Sequence, residues 1–115
     1  MQKLSLLALA HQQLTLAHAA PNGRSAKTVY GGHEHVLRQT VIALQADQVM
    51  AEHENPGEAT VYVLQGRVRL SAGQDAWDGS AGDLLVVPDR LHSLTALQDA
   101  VVLMTVGKHG PAHGG

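Results

Sequence analysis

The hydrophobic and polar positions change period once along the chain, at Pro21-Asn22-Gly23. Before that break the residues are Leu, Ala and Gln, all tolerable or good helix formers. Leu4, Leu7, His11 and Leu14 recur at helical spacing, so an amphipathic helix is predicted over 3–19, ended by the turn residues. A secretory signal peptide is the competing reading. It would use Lys3, the apolar run from Leu4 to Ala10 and the Ala17-His18-Ala19 step. The run is short, however, and His11-Gln12-Gln13 interrupts it. After Gly23 the pattern becomes short β-branched runs broken by Gly, Asn, Asp and Pro. These predict strands over 26–30, 36–44, 48–52, 59–65, 68–71, 76–78, 84–87, 93–96 and 100–106. Many short strands at close spacing argue for an antiparallel sandwich or barrel. The expected organisation is a helical segment over 1–22, a barrel domain over 23–108 and a flexible Gly-rich tail over 109–115.

Alternation separates the faces. In 59–65, Ala59, Val61 and Val63 share one side, and Thr60, Tyr62 and Leu64 share the other. Both sides are largely apolar, which predicts a strand buried on both faces, with the helix or a partner subunit as the outer cover. Arg67 and Arg69 alternate with Val68 and Leu70, the pattern of a half-exposed strand.

Composition narrows the picture. The chain has 115 residues, enough for one domain with one core. Phe is absent and Trp77, Tyr30 and Tyr62 are the only aromatics, so the core is aliphatic. Net charge is −2 with scattered Lys and Arg, which implies no nucleic-acid surface. No apolar run is long enough to span a bilayer, and no membrane partner is expected. With no Cys there is no disulfide framework, which fits the cytoplasm. No phosphate loop and no nucleophile with a partnered base is present. Eight histidines are the compositional oddity.

Two stretches carry those histidines in a recognisable frame. "DQVMAEHENPGEATVYVLQG" and "GDLLVVPDRLHSLTA" resemble the two motifs of the cupin superfamily, over about half of the chain. His53 stands in the first His position and Gly66 closes the first motif. Gly82, Pro88 and His92 follow the second, with the Pro-to-His step one residue short. Asp47 stands where the opening Gly would be, Asn55 replaces the second His, Ala59 the Glu, and Ala96 the Asn. The resemblance implies an all-β fold, a small antiparallel β-barrel or jelly roll of two sheets, here with a short N-terminal helix. It also implies a homodimer. Of the four ligands that such a barrel uses for its metal, only His53 and His92 remain in place.

The expected function is therefore binding of a small organic molecule in the barrel, without the usual metal centre and with no cofactor. The expected ligand contacts are His53, His92, Asn55, Arg38 and Gln39, with small Ala59 and Ala96 widening the cavity. Arg38 shares parity with Thr40, Ile42 and Leu44, and Gln39 with Val41 and Ala43. The Leu/Ile side is expected to be the better buried. An inward Arg38 would call for a carboxylate-bearing ligand. The first alternative is a metal-dependent dioxygenase or isomerase. It would hold iron, nickel, zinc or manganese through His53, His92 and Glu58, the last turned inward by a bulge near Pro56-Gly57. The second is a structural or stress-related dimer with no small-molecule activity. His33 and His35 read as surface or interface residues, with a metal pair or a rim contact as rivals. Trp77 reads as a packing residue.

Overall fold

The computed structural model describes residues 2–53 and 57–108. The one helix among the described residues, α1, spans Leu6–Ala19. It begins later than expected because Ser5 caps it, its Oγ accepting from the Ala8 N–H at 3.2 Å. Its buried face is Leu9, Ala10, Gln13 and Ala17. The Leu4, Leu7 and His11 row is exposed instead, because small Ala10 and Ala17 let the other side approach a sheet more closely. Gln13 is buried yet satisfied. Ser25 Oγ lies 2.7 Å from its main-chain carbonyl and 2.8 Å from its side-chain amide, which fixes α1 to the first strand. A hydroxyl donates only once, so one contact needs the amide nitrogen turned toward Ser25. His18 latches the other end, with Nε2 at 3.0 Å from Asp99 and Nδ1 at 2.8 Å from the Gln45 amide.

All nine expected strands are present: β1 Arg24–Gly31, β2 Leu37–Leu44, β3 Val49–His53, β4 Gly57–Gln65, β5 Arg67–Ala72, β6 Asp75–Ser80, β7 Leu84–Val86, β8 His92–Ala96 and β9 Ala100–Lys108. They form a five-stranded sheet in the order β1-β2-β9-β4-β7 and a four-stranded sheet in the order β3-β8-β5-β6. Every pairing is antiparallel, as a jelly-roll barrel requires.

Two apolar layers hold the fold. Between the sheets lie Ile42, Leu44, Val61, Val63, Val68, Leu70, Leu94, Val102 and their neighbours. Each fully buried Val or Leu contributes about 1.5–3 kcal/mol by leaving water. Between α1 and the outer face of the five-stranded sheet lie Leu9, Ala10, Ala17, Val41, Ala43 and Val101. β2 is thus buried on both faces from Val41 to Leu44. For β4 the expectation of two buried faces is corrected. Ala59, Val61 and Val63 are buried, but Glu58 and Tyr62 are exposed. The 14-residue helix covers only the part of the sheet that includes Leu64 and Leu103. β5 follows its expected alternation, with Val68 and Leu70 in and Arg67 and Arg69 out. On that outer face Arg69 holds Asp78 by bonds of 2.7 and 3.1 Å. The hydrogen bonds to Arg69 draw the Asp78 carboxyl below the usual range and raise the guanidinium in turn. Both groups are solvated, so the pair adds little to stability.

The turn positions explain why particular residues stand there. Gly66 passes β4 directly into β5 at φ +79°, with the main chain of Asp99 against its Cα. Gly82 turns between β6 and β7 at φ +95°. Asp47, where the motif would carry Gly, sits at φ 73°, the one non-glycine in this region among the described residues. Its N–H donates to the Ala96 carbonyl at 2.7 Å. Asp tolerates the left-handed region better than most residues but still at a cost. Asp47→Gly is expected to raise stability by about 0.5 kcal/mol, after allowing for the greater freedom of the unfolded glycine chain, and Asp47→Ala to lower it by about 1. Urea denaturation reads the ranking directly, and a lower midpoint for Asp47→Gly would contradict it.

Candidate functional site

β3 and β8 pair so that His53 is directly opposite His92. The connectivity gathers more of the motif at this end of the barrel. β3 ends and β4 begins here, and residues 87–91 carry the chain from β7 to β8. The Val87 N–H donates to the Ala59 carbonyl at 3.0 Å, which ties the two crossings together. Ala59 pairs with Val106, and Val106 with Arg38, so Arg38 completes the same rung of the five-stranded sheet.

His92 is 2% exposed and shares the inner face of β8 with Leu94 and Ala96. Its Nδ1 lies 2.9 Å from the Arg90 main-chain carbonyl. A carbonyl only accepts, so Nδ1 carries the hydrogen, and in the neutral ring Nε2 holds the lone pair. The guanidinium of Arg90 is itself anchored on Asp75 at 2.6 Å. Asp75 and Arg90 therefore set the loop whose carbonyl fixes the His92 tautomer. This support was not foreseen from sequence, although the Arg90-Leu91-His92 spacing carries it.

The other expected contacts divide. Arg38 lies on the row of Ile42 and Leu44, which face the inter-sheet core, and it is exposed at the rim. No carboxylate among the described residues pairs with it. Gln39 is on the opposite face, where its amide donates to Thr105 Oγ1 at 3.2 Å, so it does not line the barrel. Asn55 lies outside the described residues, as does the side chain of His53. Ala96 is not beside His92. It is fully buried opposite Val68, about 13 Å along the strand at the usual rise, and opens no space there.

Glu58 is also corrected. β4 pairs with β9 without interruption from Gly57 to Val63, with no bulge to turn Glu58 inward, and it is exposed on the outer face. Among the described residues no three His, Asp or Glu come together around a possible metal. Ala59 at the carboxylate position has no donor atom. The described residues thus do not make up the metal site that the fold commonly carries.

Around this end lie further polar groups. Lys108 Nζ donates to the carbonyls of Gly32 and His33 at 2.8 and 2.9 Å, which holds the β1–β2 loop against the end of β9. His33 and His35 are exposed in that loop and not in a strand, and His35 stacks edge-on with Tyr30 at 5.6 Å. A cavity of about 360 Å³ beside them is lined by Gln2, Thr28, Val29, Tyr30, Gly31 and His35. A second cavity, of about 270 Å³, includes Arg24, Ala26, Ile42 and Met50 and opens farther from the histidine rung. No helix among the described residues is long and apolar enough to cross a membrane.

A two-sheet antiparallel jelly roll with a histidine rung at its strand ends defines a class of small β-barrel. The solved structures it resembles place it more closely: the chain has the cupin fold. A conserved protein of unknown function from Streptococcus pyogenes is 25% identical over 80% of each chain, with a TM-score of 0.71. A cupin superfamily protein from Desulfitobacterium hafniense is 15% identical over 74% of this chain and 79% of that one, with a TM-score of 0.65. An RmlC-like cupin from Desulfovibrio desulfuricans is 23% identical over 73% and 81%, with a TM-score of 0.64. No protein-family model matches the sequence, and no curated protein matches it.

Proposed function

We propose that the chain is a small-molecule-binding cupin that takes a carboxylate-bearing organic ligand at the His53–His92 end of the barrel, without a resident metal. The observation that carries this reading is the pairing of His53 with His92 at the end where Arg38 closes the inner-face rung, with Ala59 in place of a carboxylate. The deeper barrel supports a ligand at the mouth, because Val61, Val63, Leu70, Leu94 and Val102 already fill it. Arg38 gives a planar, permanently charged fork suited to a carboxylate. His92 stands at the same end, its ring oriented by the Arg90 carbonyl. The metal-dependent alternative would call on Glu58 as its third donor, and Glu58 faces outward.

A thermal-shift panel of small carboxylates and their neutral amides, on tag-free protein, tests the reading. A ligand at a hundred times its Kd stabilises the fold by about 2.7 kcal/mol, a readily measured rise in Tm. Carboxylates but not amides are expected to give it. Arg38→Ala is expected to weaken binding by about 10- to 100-fold, the worth of a charge-assisted hydrogen bond. Near-stoichiometric iron, nickel, zinc or manganese in the same protein, lost in His92→Asn, would overturn the proposal in favour of the metal enzyme.

A further inference from the structure

Two cationic side chains stand on one lip of the barrel mouth. Arg38 pairs with Val106, and Lys108 follows two residues later on the same face of β9. The diagonal from Arg38 to Lys108 measures about 7–8 Å between Cα atoms. Their rows run back through Ile42 and Leu44 on β2 and through Val102 and Val106 on β9. All four belong to the inter-sheet core, so both cations continue the inner face outward. Opposite them stands His92. Arg24 of β1 donates to the Val49 carbonyl of β3 at 3.2 Å, which sets those two sheet edges side by side. β2 and β8 each come next to their edge strand. The ends of β2 and β9 therefore face the His92 end of β8 across the roughly 10 Å between packed sheets.

No carboxylate among the described residues forms an ion pair with Arg38 or Lys108. The arginines of the facing sheet and its loop differ, since Arg67 and Arg69 share Asp78 and Arg90 holds Asp75. Lys108 is steered by main chain instead. Its ammonium has three N–H groups, and two of them are donated to the Gly32 and His33 carbonyls. Those bonds fix the head beside the end of the β1–β2 hairpin, where Gly31 pairs with Arg38. They leave its charge and its third donor for a ligand. Two like charges this close repel, and an anion reaching both removes that cost.

We propose that the ligand at this mouth is a short dicarboxylate, of the size of succinate or glutarate, with one carboxylate on the Arg38 fork and the other on the Lys108 ammonium. The second charge rests on the carboxylate reading above, and Lys108 is the residue that selects for it. Arg38 grips a planar carboxylate with two parallel donors. Lys108 acts as a point charge that takes a carboxylate at several angles. A monocarboxylate fills the Arg38 position alone and leaves Lys108 unpaired, so the mouth discriminates by charge count.

Amide ¹H–¹⁵N titrations of the tag-free full chain with succinate and with its monoamide, succinamate, in excess EDTA at neutral pH, test it. The two probes match in length and differ by one charge. Succinate is expected to bind about 10-fold more tightly, the low end for a charge-assisted contact, because the site is open to solvent. Lys108→Gln is expected to bring succinate down to the affinity of succinamate and to leave succinamate within about twofold of its wild-type Kd. Glutamine still offers an amide donor to the hairpin carbonyls, and a merely structural Lys108 would weaken both probes alike. That result would overturn the proposal, and so would a Lys108→Gln chain that keeps the preference for succinate. Equal wild-type affinities for the two probes, with binding still dependent on Arg38, would overturn it and leave the carboxylate reading standing. No saturable binding of either probe would overturn both. Should Lys108→Gln fail to fold, the wild-type ratio of the two affinities decides alone.

Discussion

Gly66→Ala is expected to destabilise the protein by about 3 kcal/mol or more, enough to threaten folding in a domain of this size. Two effects combine. The residue sits at φ +79°, where an L side chain costs about 1–2 kcal/mol. A Cβ there would also lie 2.1 Å from the Asp99 carbonyl oxygen and 2.9 Å from Ala100 Cα. Both are main-chain atoms, one in the β8–β9 turn and one at the start of β9, so no side chain can move aside. That turn also carries the Asp99 carboxylate, which accepts from the Ala46 N–H at 2.8 Å and contacts His18. Displacing it would loosen the helix latch as well. Gly82→Ala is the control. Its φ of +95° is as unfavourable, but a Cβ there meets nothing within 4 Å, so only about 1–2 kcal/mol should be lost. Denaturant midpoints of the two variants separate clash from conformation, and equal losses would contradict the close approach.

Leu70→Ala is expected to cost about 3 kcal/mol, on the order of 10–15 °C in Tm. Leu70 is 1% exposed and stands between Leu94 of β8 and Trp77 of β6 on the inner face of the four-stranded sheet. Thermal unfolding followed by circular dichroism measures the loss. A change below about 1 kcal/mol would mean that the barrel collapses around the deletion, contrary to close packing.

The sequence made the barrel legible because its signals were local. Short β-branched and apolar runs between turn residues located every strand, and Gly66 and Gly82 marked turns that need φ above zero. Asp47 shows the same rule from its exception, since it adopts the motif glycine's conformation with a side chain that tolerates it. Cover was harder to read. Alternation cannot tell how much of a sheet a helix hides, so the outer side of β4 was expected to be buried when Tyr62 is exposed. Helical spacing likewise admitted more than one stripe, and small Ala10 and Ala17 decided it through close approach.

At the candidate site, the register of His53 and His92 followed from motif spacing, and Arg38 from strand parity. The positions of Glu58 and Ala96 did not follow. One depended on the absence of a bulge in β4, the other on distance along β8, and neither is written in the residues themselves. The Arg90 carbonyl that fixes His92 is a main-chain group, which only the two-residue spacing from Arg90 to His92 could have suggested.

The central claim is that this end of the barrel binds an organic carboxylate without a metal. A two-dimensional amide ¹H–¹⁵N titration of the tag-free chain with succinate and benzoate, in excess EDTA, tests it most directly. The predicted result is saturable shifts centred on Arg38, Val106, Ala59 and His92, unchanged by EDTA and lost in Arg38→Ala. Shifts that appear only when a divalent metal replaces the chelator, or that centre on Arg24 and Met50 instead, would contradict it.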